Sequence, residues 1–147
     1  VTGSLGGSVR RRHLEFEPRV REALEIAGAV TVNAMMDLSD GLSTDLNRIC
    51  KQSGVGAVVD ASLIPTSVDA RTRNDPLAAA LHEGEDFELL FTLARDQWET
   101  LRRSWNADLA ITEIGIVTAP GRMEIKMPDG RTADLRPGGY EHLRRDS

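Results

Sequence analysis

Residues 30–50, VTVNAMMDLSDGLSTDLNRIC, contain the pattern that decides the fold. Val30 to Met36 form an apolar and partly β-branched run, which predicts a buried strand that stops at Asp37. A helix is predicted to start after Ser39-Asp40, because apolar residues then recur at helical spacing: Leu42, Leu46, Ile49 and Cys50. A buried strand that passes into an amphipathic helix is typical of proteins in which helices pack on a sheet.

The rest of the sequence alternates between helix and strand patterns. Further helices are predicted after Pro18 as far as Gly28, over 77–82 and near 96–105; further strands are predicted over 55–60, 87–93, 111–117 and 123–127. The late strands lie close together in sequence, as in a hairpin, with Pro120-Gly121 and Asp129-Gly130 as turns. We expect a mixed β-sheet with helices packed on it, in the α/β class, with α+β left open.

Composition limits the classes of protein that remain. A length of 147 residues is typical of one domain, and a formal charge of −5 argues against a general nucleic-acid binder. The single cysteine, Cys50, lies on the apolar face of its predicted helix and is expected in the core. No apolar run approaches the ~20 residues that span a bilayer. We therefore expect a cytoplasmic protein that binds neither nucleic acid nor membrane.

The stretch Asp37-Leu38-Ser39-Asp40-Gly41 is the first candidate site. Asp37 and Ser39 would point to the same side of a strand end, and two carboxylates with a hydroxyl at a helix start suit Mg²⁺ bridged to phosphate. The alternative is a plain N-cap, in which Ser39 or Asp40 accepts hydrogen bonds from the first helical turn. The pattern alone leaves both interpretations open.

The stretch Gly84-Glu85-Asp86-Phe87-Glu88 is the second candidate site. Three acids within four residues repel one another, so they either face a cationic ligand or metal, or form a solvated turn with Glu88 on the exposed face of the strand. The segment VTGSLGGSV at residues 1–9 is likewise open to two interpretations. It is either a flexible linker or a glycine-rich turn that approaches a phosphate, and Arg10–Arg12 follow it.

Four motifs in this order resemble one family. TGSLGGS at residues 2–8, MMDLSDGLSTDL at 35–46, GEDFELLFTL at 84–93 and GGYEH at 138–142 are similar to the C-terminal half of bacterial thiamine-monophosphate kinases. That family belongs to the group that includes aminoimidazole ribonucleotide synthetase and selenophosphate synthetase. The resemblance implies an ATP-dependent phosphotransferase that converts thiamine monophosphate to thiamine diphosphate.

The resemblance also implies roles for individual residues. Asp37 and Asp40 would hold Mg²⁺, and Ser39 would contact the phosphates of ATP. Glu85 and Tyr140 would contact the thiamine phosphate substrate. Glu83 departs from the family pattern because it replaces a glycine before the Glu-Asp pair.

The resemblance further divides the chain. Residues 1–13 would be a Gly/Ser-rich linker from a missing N-terminal domain, and residues 14–147 would be the C-terminal domain. We expect the isolated chain to lack turnover. The oligomeric state is left open, and a homodimer through apolar surface that the missing domain leaves exposed is one alternative. Two alternatives remain at this point: a related ATP-dependent enzyme like aminoimidazole ribonucleotide synthetase, or a non-catalytic binding or dimerisation module.

Overall fold

Helices and strands alternate along the computed structural model, which describes residues 1–7 and 17–138. The four α-helices of this part are α1 Val20–Ala29, α2 Leu42–Ser53, α3 Pro76–His82 and α4 Arg95–Ser104. The six strands are β1 Val32–Asp37, β2 Gly56–Asp60, β3 Leu89–Leu93, β4 Gly115–Thr118, β5 Met123–Lys126 and β6 Thr132–Asp134. Within the described ranges, none of the helices combines the length and the apolar character that a membrane span requires.

The strands form a two-stranded and a four-stranded sheet. β1 pairs with β3 in antiparallel register, which places Asp37 opposite Leu89. The larger sheet has the order β4-β2-β5-β6, in which β2 is antiparallel to β4 and parallel to β5. This mixture of pairings, with helices packed on the sheets, confirms the predicted α/β class and mixed sheet.

The hairpin prediction is right for one pair of late strands and wrong for the other. β5 and β6 pair directly across a turn in which Gly130 has a φ of 84°. β4 and β5 do not pair with each other, because β2 lies between them. A central position suits β2, since Ala57 and Val59 are almost completely buried.

In the described part of the chain, the core consists of two apolar clusters. The larger contains Leu5, Leu38 and the apolar face of α2 (Leu42, Leu46, Ile49 and Cys50). The smaller one joins α1 to α4 and β3 through Ile26, Val30, Leu89 and Leu101. Cys50 is 4% exposed, which confirms its predicted place in the core, and burial raises the pKa of its thiol.

The first seven residues differ from the flexible-linker interpretation. Val1, Thr2 and Leu5 are buried, and isolated bridges pair Thr2 with Ile111 and Leu5 with Thr66. The glycines that suggested flexibility serve close packing instead, since a Cβ on Gly3 would clash with the carboxylate of Glu88. Residues 1–7 are therefore part of the folded unit. The predicted division at residue 13 and Arg10–Arg12 lie outside the described residues.

Candidate functional site

The two acidic motifs meet in the structure because they occupy adjoining ends of β1 and β3. The pairing of these strands continues beyond the sheet: the Leu38 N–H donates to the Glu88 carbonyl at 2.8 Å, and the Phe87 N–H donates to the Leu38 carbonyl at 2.9 Å. A third bond runs from the Glu85 N–H to the Ser39 carbonyl at 2.9 Å. The turn after β1, residues 37–41, and the turn before β3, residues 83–88, thus form one continuous surface.

Two glycines permit this close contact. A Cβ on Gly84 would lie 2.5 Å from the Ser39 carbonyl oxygen, so a side chain there would force the turns apart. Gly41 has a φ of 95°, and a Cβ on it would lie 3.0 Å from the carbonyl carbon of His82. Glu85 adopts a φ of 63°, a conformation that is uncommon for a residue other than glycine and that occurs often at functional sites.

The turn after β1 carries acids with different surroundings. Asp37 is exposed at the end of β1, and Ser39 is half-buried. Asp40 is 7% exposed, and its carboxylate forms an ion pair with Arg48, which raises the pKa of that guanidinium. Gly41, not Ser39 or Asp40, occupies the N-cap position of α2.

Asp45 is a residue of this site that sequence reasoning missed. Its side chain is fully buried, and its Oδ2 accepts hydrogen bonds from the N–H groups of Ser39 at 3.0 Å and Asp40 at 2.9 Å. Its Oδ1 contacts Arg48 Nη1 at 2.6 Å. Burial raises the pKa of Asp45, although the two N–H groups and Arg48 favour its charged form. The sequence feature that could have identified Asp45 is its position between Leu42 and Leu46, because an acid there falls on the apolar face of α2.

The turn before β3 separates its acids in the same way. Glu85 is exposed, whereas Asp86 is 7% exposed and accepts hydrogen bonds from the Gly6 N–H at 2.9 Å and the Gly7 N–H at 3.0 Å. These glycine N–H groups donate to a carboxylate of the protein itself. One of the two interpretations of the sequence predicted instead that they approach a phosphate.

The interpretation that placed Glu88 on the exposed face of the strand, one of the two left open by the sequence, is wrong. Glu88 is 2% exposed, accepts from Thr2 Oγ1 at 2.7 Å, and forms a two-point ion pair with Arg19 at 3.0 and 2.9 Å. Its hydrogen bond raises the pKa of Arg19. Glu88 precedes β3 and is covered by residues 1–3. The alternation of inward and outward side chains along β3 does not predict this contact, because the two segments are distant in sequence.

The end of the described chain lies beside the start of α2. The Gly138 N–H donates to Ser43 Oγ at 3.2 Å, and that hydroxyl also lies 2.9 Å from His82 Nδ1. Tyr140, predicted to contact the substrate, lies outside the described residues.

The carboxylates of this site suit magnesium only as part of a ligand set. Within residues 1–7 and 17–138, no three His, Cys, Asp or Glu side chains converge closely enough to hold a metal ion. Asp37 and Asp40 offer the oxygen ligands that Mg²⁺ prefers, and this ion usually keeps waters and phosphate oxygens as its other ligands. Arg48 contacts Oδ2 of Asp40, so it would compete with a cation for that oxygen.

The family follows from comparison of the sequence with known proteins. Residues 3–128 match the family described as AIR synthase related protein, C-terminal domain, and the chain belongs to this family. It is 34% identical to the thiamine-monophosphate kinase of Rhodopirellula baltica, over 97% of this chain and 46% of that protein. The corresponding Bacillus subtilis enzyme is 32% identical over 90% of this chain and 42% of its own length. The resemblance deduced from the motifs is thereby confirmed.

Solved structures show the same likeness. A thiamine-monophosphate kinase from Stenotrophomonas maltophilia superposes with a TM-score of 0.74 and 32% identity, covering 90% of this chain and 50% of that one. A structure described as AaThiL complexed with AMPPCP and TMP gives a TM-score of 0.73 and 27% identity, over 97% of this chain and 50% of the other. The hydrogenase maturation protein HypE, at 21% identity and a TM-score of 0.67, shares the fold. The chain spans about half the length of these relatives.

Proposed function

We propose that the chain is the C-terminal part of an ATP-dependent kinase that phosphorylates thiamine monophosphate to thiamine diphosphate, releasing ADP. The observation that carries this proposal is the 2.9 Å bond from the Glu85 N–H to the Ser39 carbonyl, which joins the proposed substrate residue to the proposed phosphate residue. The fold is shared with a protein complexed with AMPPCP and TMP.

The phosphates of ATP are proposed to lie over the turn after β1. Phosphoryl transfer depends mainly on positioning and on neutralising phosphate charge. The Ser39 hydroxyl would donate a hydrogen bond to a phosphate oxygen. Asp37 and Asp40 would hold Mg²⁺, which supplies positive charge to the phosphates when bound. Asp45 acts as a positioning residue, because its carboxylate fixes the backbone of both Ser39 and Asp40.

Arg48 occupies the carboxylate of Asp40, so it competes with a cation there. We expect Arg48→Gln to bind Mg²⁺ more tightly than the parent chain, and Arg48→Lys to stay close to it because the charge is retained. Isothermal titration with magnesium chloride measures this on the chain joined to the N-terminal half of the Bacillus subtilis enzyme, because the carboxylates of this chain are only part of the ligand set. Equal Mg²⁺ affinity in all three proteins would remove Asp40 from the proposed ligand set.

Thiamine monophosphate is proposed to lie at the turn before β3. Glu85 is exposed, and its carboxylate would meet the positively charged thiazolium ring. Tyr140 would offer an aromatic face to the same cation. The site would be completed by an N-terminal domain of the same protein, in the cytoplasm, and a homodimer remains part of the proposal.

A chimeric enzyme tests the function. The C-terminal half of the Bacillus subtilis enzyme is replaced by this chain, and thiamine diphosphate is measured after addition of ATP, magnesium and thiamine monophosphate. We expect turnover by the chimera and none by the chain alone, because the chain spans only about half of its relatives. A folded chimera that binds ATP but forms no thiamine diphosphate would contradict the proposal, as would turnover by the isolated chain.

A further inference from the structure

The start of α2, the end of α3 and the last described residue of the chain meet at one buried hydroxyl. Ser43 is 0% exposed, and its Oγ accepts a hydrogen bond from the Gly138 N–H at 3.2 Å. The same Oγ lies 2.9 Å from Nδ1 of His82. With the imidazole neutral, Nδ1 accepts the hydroxyl proton, which leaves a lone pair of the oxygen for Gly138. His82 thus orients the hydroxyl that holds the backbone of Gly138.

The imidazole ring also sets how closely this part of the chain approaches. A Cβ on Gly138 would lie 2.5 Å from Nδ1 of His82 and 2.8 Å from its Cε1, so only glycine lets the backbone lie directly against the ring. Gly138 itself is exposed, whereas His82 is half-buried. An exposed stretch of backbone is therefore held by one hydrogen bond to a buried side chain and by one close contact.

Both side chains adjoin the turns of the candidate site. Ser43 lies in the first turn of α2, two residues after Gly41. His82 is the last residue of α3 and directly precedes the turn 83–88. Its carbonyl carbon would lie 3.0 Å from a Cβ on Gly41. The residues that hold Gly138 therefore belong to the same backbone that forms the turn after β1 and the turn before β3.

This anchor shortens the tether of Tyr140. Leu135 holds the chain three residues earlier, since it is 6% exposed and its N–H donates to the Met123 carbonyl at 2.9 Å. Tyr140 follows Leu135 by five residues and Gly138 by two. An extended chain spans at most about 17 Å over five residues and about 7 Å over two. The volume that such a tether allows falls about tenfold, which raises the effective concentration of its end.

We infer that Ser43 and His82 are positioning residues for substrate binding, which hold the chain at Gly138 so that Tyr140 meets thiamine monophosphate. The inference rests on the proposed function, in which Tyr140 contacts the positively charged thiazolium ring. The Ser43 hydroxyl acts through Tyr140 and not on the substrate directly, because it is fully buried. Its effect on substrate binding should therefore disappear when the aromatic ring of Tyr140 is removed.

The first experiment measures the anchor without any catalytic activity. Ser43→Ala removes the acceptor of the Gly138 N–H, so we expect hydrogen exchange of the Gly138 amide in the 147-residue chain to become about fivefold faster. Ser67→Ala is the matched control. Ser67 is 4% exposed, and its Oγ accepts from the Ala70 N–H at 2.9 Å, away from both turns. This variant should leave exchange at Gly138 unchanged.

The second experiment measures KM for thiamine monophosphate and kcat in the chimeric enzyme. We expect Ser43→Ala to raise KM about fivefold and to leave kcat within about twofold, because binding and not the chemical step is weakened. Tyr140→Leu should raise KM at least as much. Adding Ser43→Ala to Tyr140→Leu should raise KM no further, since both changes act on one contact. Ser67→Ala should leave KM unchanged.

Variants of His82 separate its hydrogen bond from its bulk. His82→Asn retains an acceptor near the place of Nδ1, so we expect KM to stay within about twofold of the parent. His82→Leu has a side chain without an acceptor, and it should raise KM as Ser43→Ala does. Equal KM values in the two variants would show that the hydrogen bond to Ser43 has no part in positioning.

The outcomes distinguish the inference from the proposed function on which it rests. A parent chimera that forms no thiamine diphosphate contradicts the proposed function, and the inference falls with it. In an active chimera, an unchanged KM in Ser43→Ala would overturn the inference alone. A rise in KM that Ser43→Ala still causes beside Tyr140→Leu would do the same, as would unchanged exchange at Gly138.

Discussion

The turn after β1 and the turn before β3 lie side by side, but they are held in place by different parts of the chain. The first is fixed locally, because Asp45 accepts hydrogen bonds from the N–H groups of Ser39 and Asp40, which are six and five residues away in sequence. The second is fixed by contacts across most of the sequence. Asp86 binds the Gly6 and Gly7 N–H groups, and Glu88 binds Thr2 and Arg19.

This difference distinguishes two kinds of acid within one site. The buried carboxylates of Asp45, Asp86 and Glu88 are bonded to the protein itself and stabilise the turns. The exposed carboxylates of Asp37 and Glu85 lie at the surface of the same turns, where a ligand can reach them. Removing charge from the two kinds should therefore affect different properties: stability for the buried acids and ligand binding for the exposed ones.

The largest effect on stability is expected at Glu88. Glu88→Gln removes the charge that pairs with the mostly buried Arg19, which should lower the free energy of unfolding by about 3 kcal/mol. Glu85→Gln is the matched control in the same turn, and it should change stability by less than about 0.5 kcal/mol. Urea denaturation followed by circular dichroism measures both. Similar losses in the two variants would erase the distinction between buried and exposed acids.

A smaller effect is expected at Asp86. Asp86→Asn leaves one carbonyl oxygen for the two glycine N–H groups, so we expect a loss of about 1–2 kcal/mol. Amide exchange at Gly6 and Gly7 should become faster, because residues 1–7 lose this anchor. Asp37→Asn serves as the control at an exposed acid. Unchanged exchange at both glycines would show that Asp86 does not fix the N-terminal segment.

The smallest effect concerns Asp60, a half-buried acid outside both turns. Hydrogen bonds from the Ser62 hydroxyl and N–H lower the pKa of Asp60 below its ordinary value. Because the folded pKa is lower than the unfolded one, the stabilisation is present above the unfolded pKa and is lost as the pH falls through the folded pKa. Ser62→Ala should raise the pKa towards its ordinary value. NMR titration of the Asp60 carboxyl measures the shift, and an unchanged pKa would contradict the assigned cause.

The sequence predicted features that depend on neighbouring residues. The apolar spacing of Leu42, Leu46 and Ile49 predicted α2, and the pattern before Asp37 predicted β1. Contacts between distant segments were not predictable in this way. The burial of Glu88 depends on its contacts with Thr2 and Arg19, which are distant in sequence. The position of β2 between β4 and β5 depends on which strands hydrogen-bond to one another. Period and composition carry no information about such pairings.

The central claim is that Asp37 serves the ligand and not the fold. It is tested most directly by Asp37→Asn in the chimeric enzyme, with kcat and the free energy of unfolding measured on the same preparation. We expect kcat to fall by about a hundredfold or more, because a carboxylate that positions charge at the reacting phosphates is lost, and stability to change by less than about 0.5 kcal/mol. An unchanged kcat in a stably folded variant would contradict it.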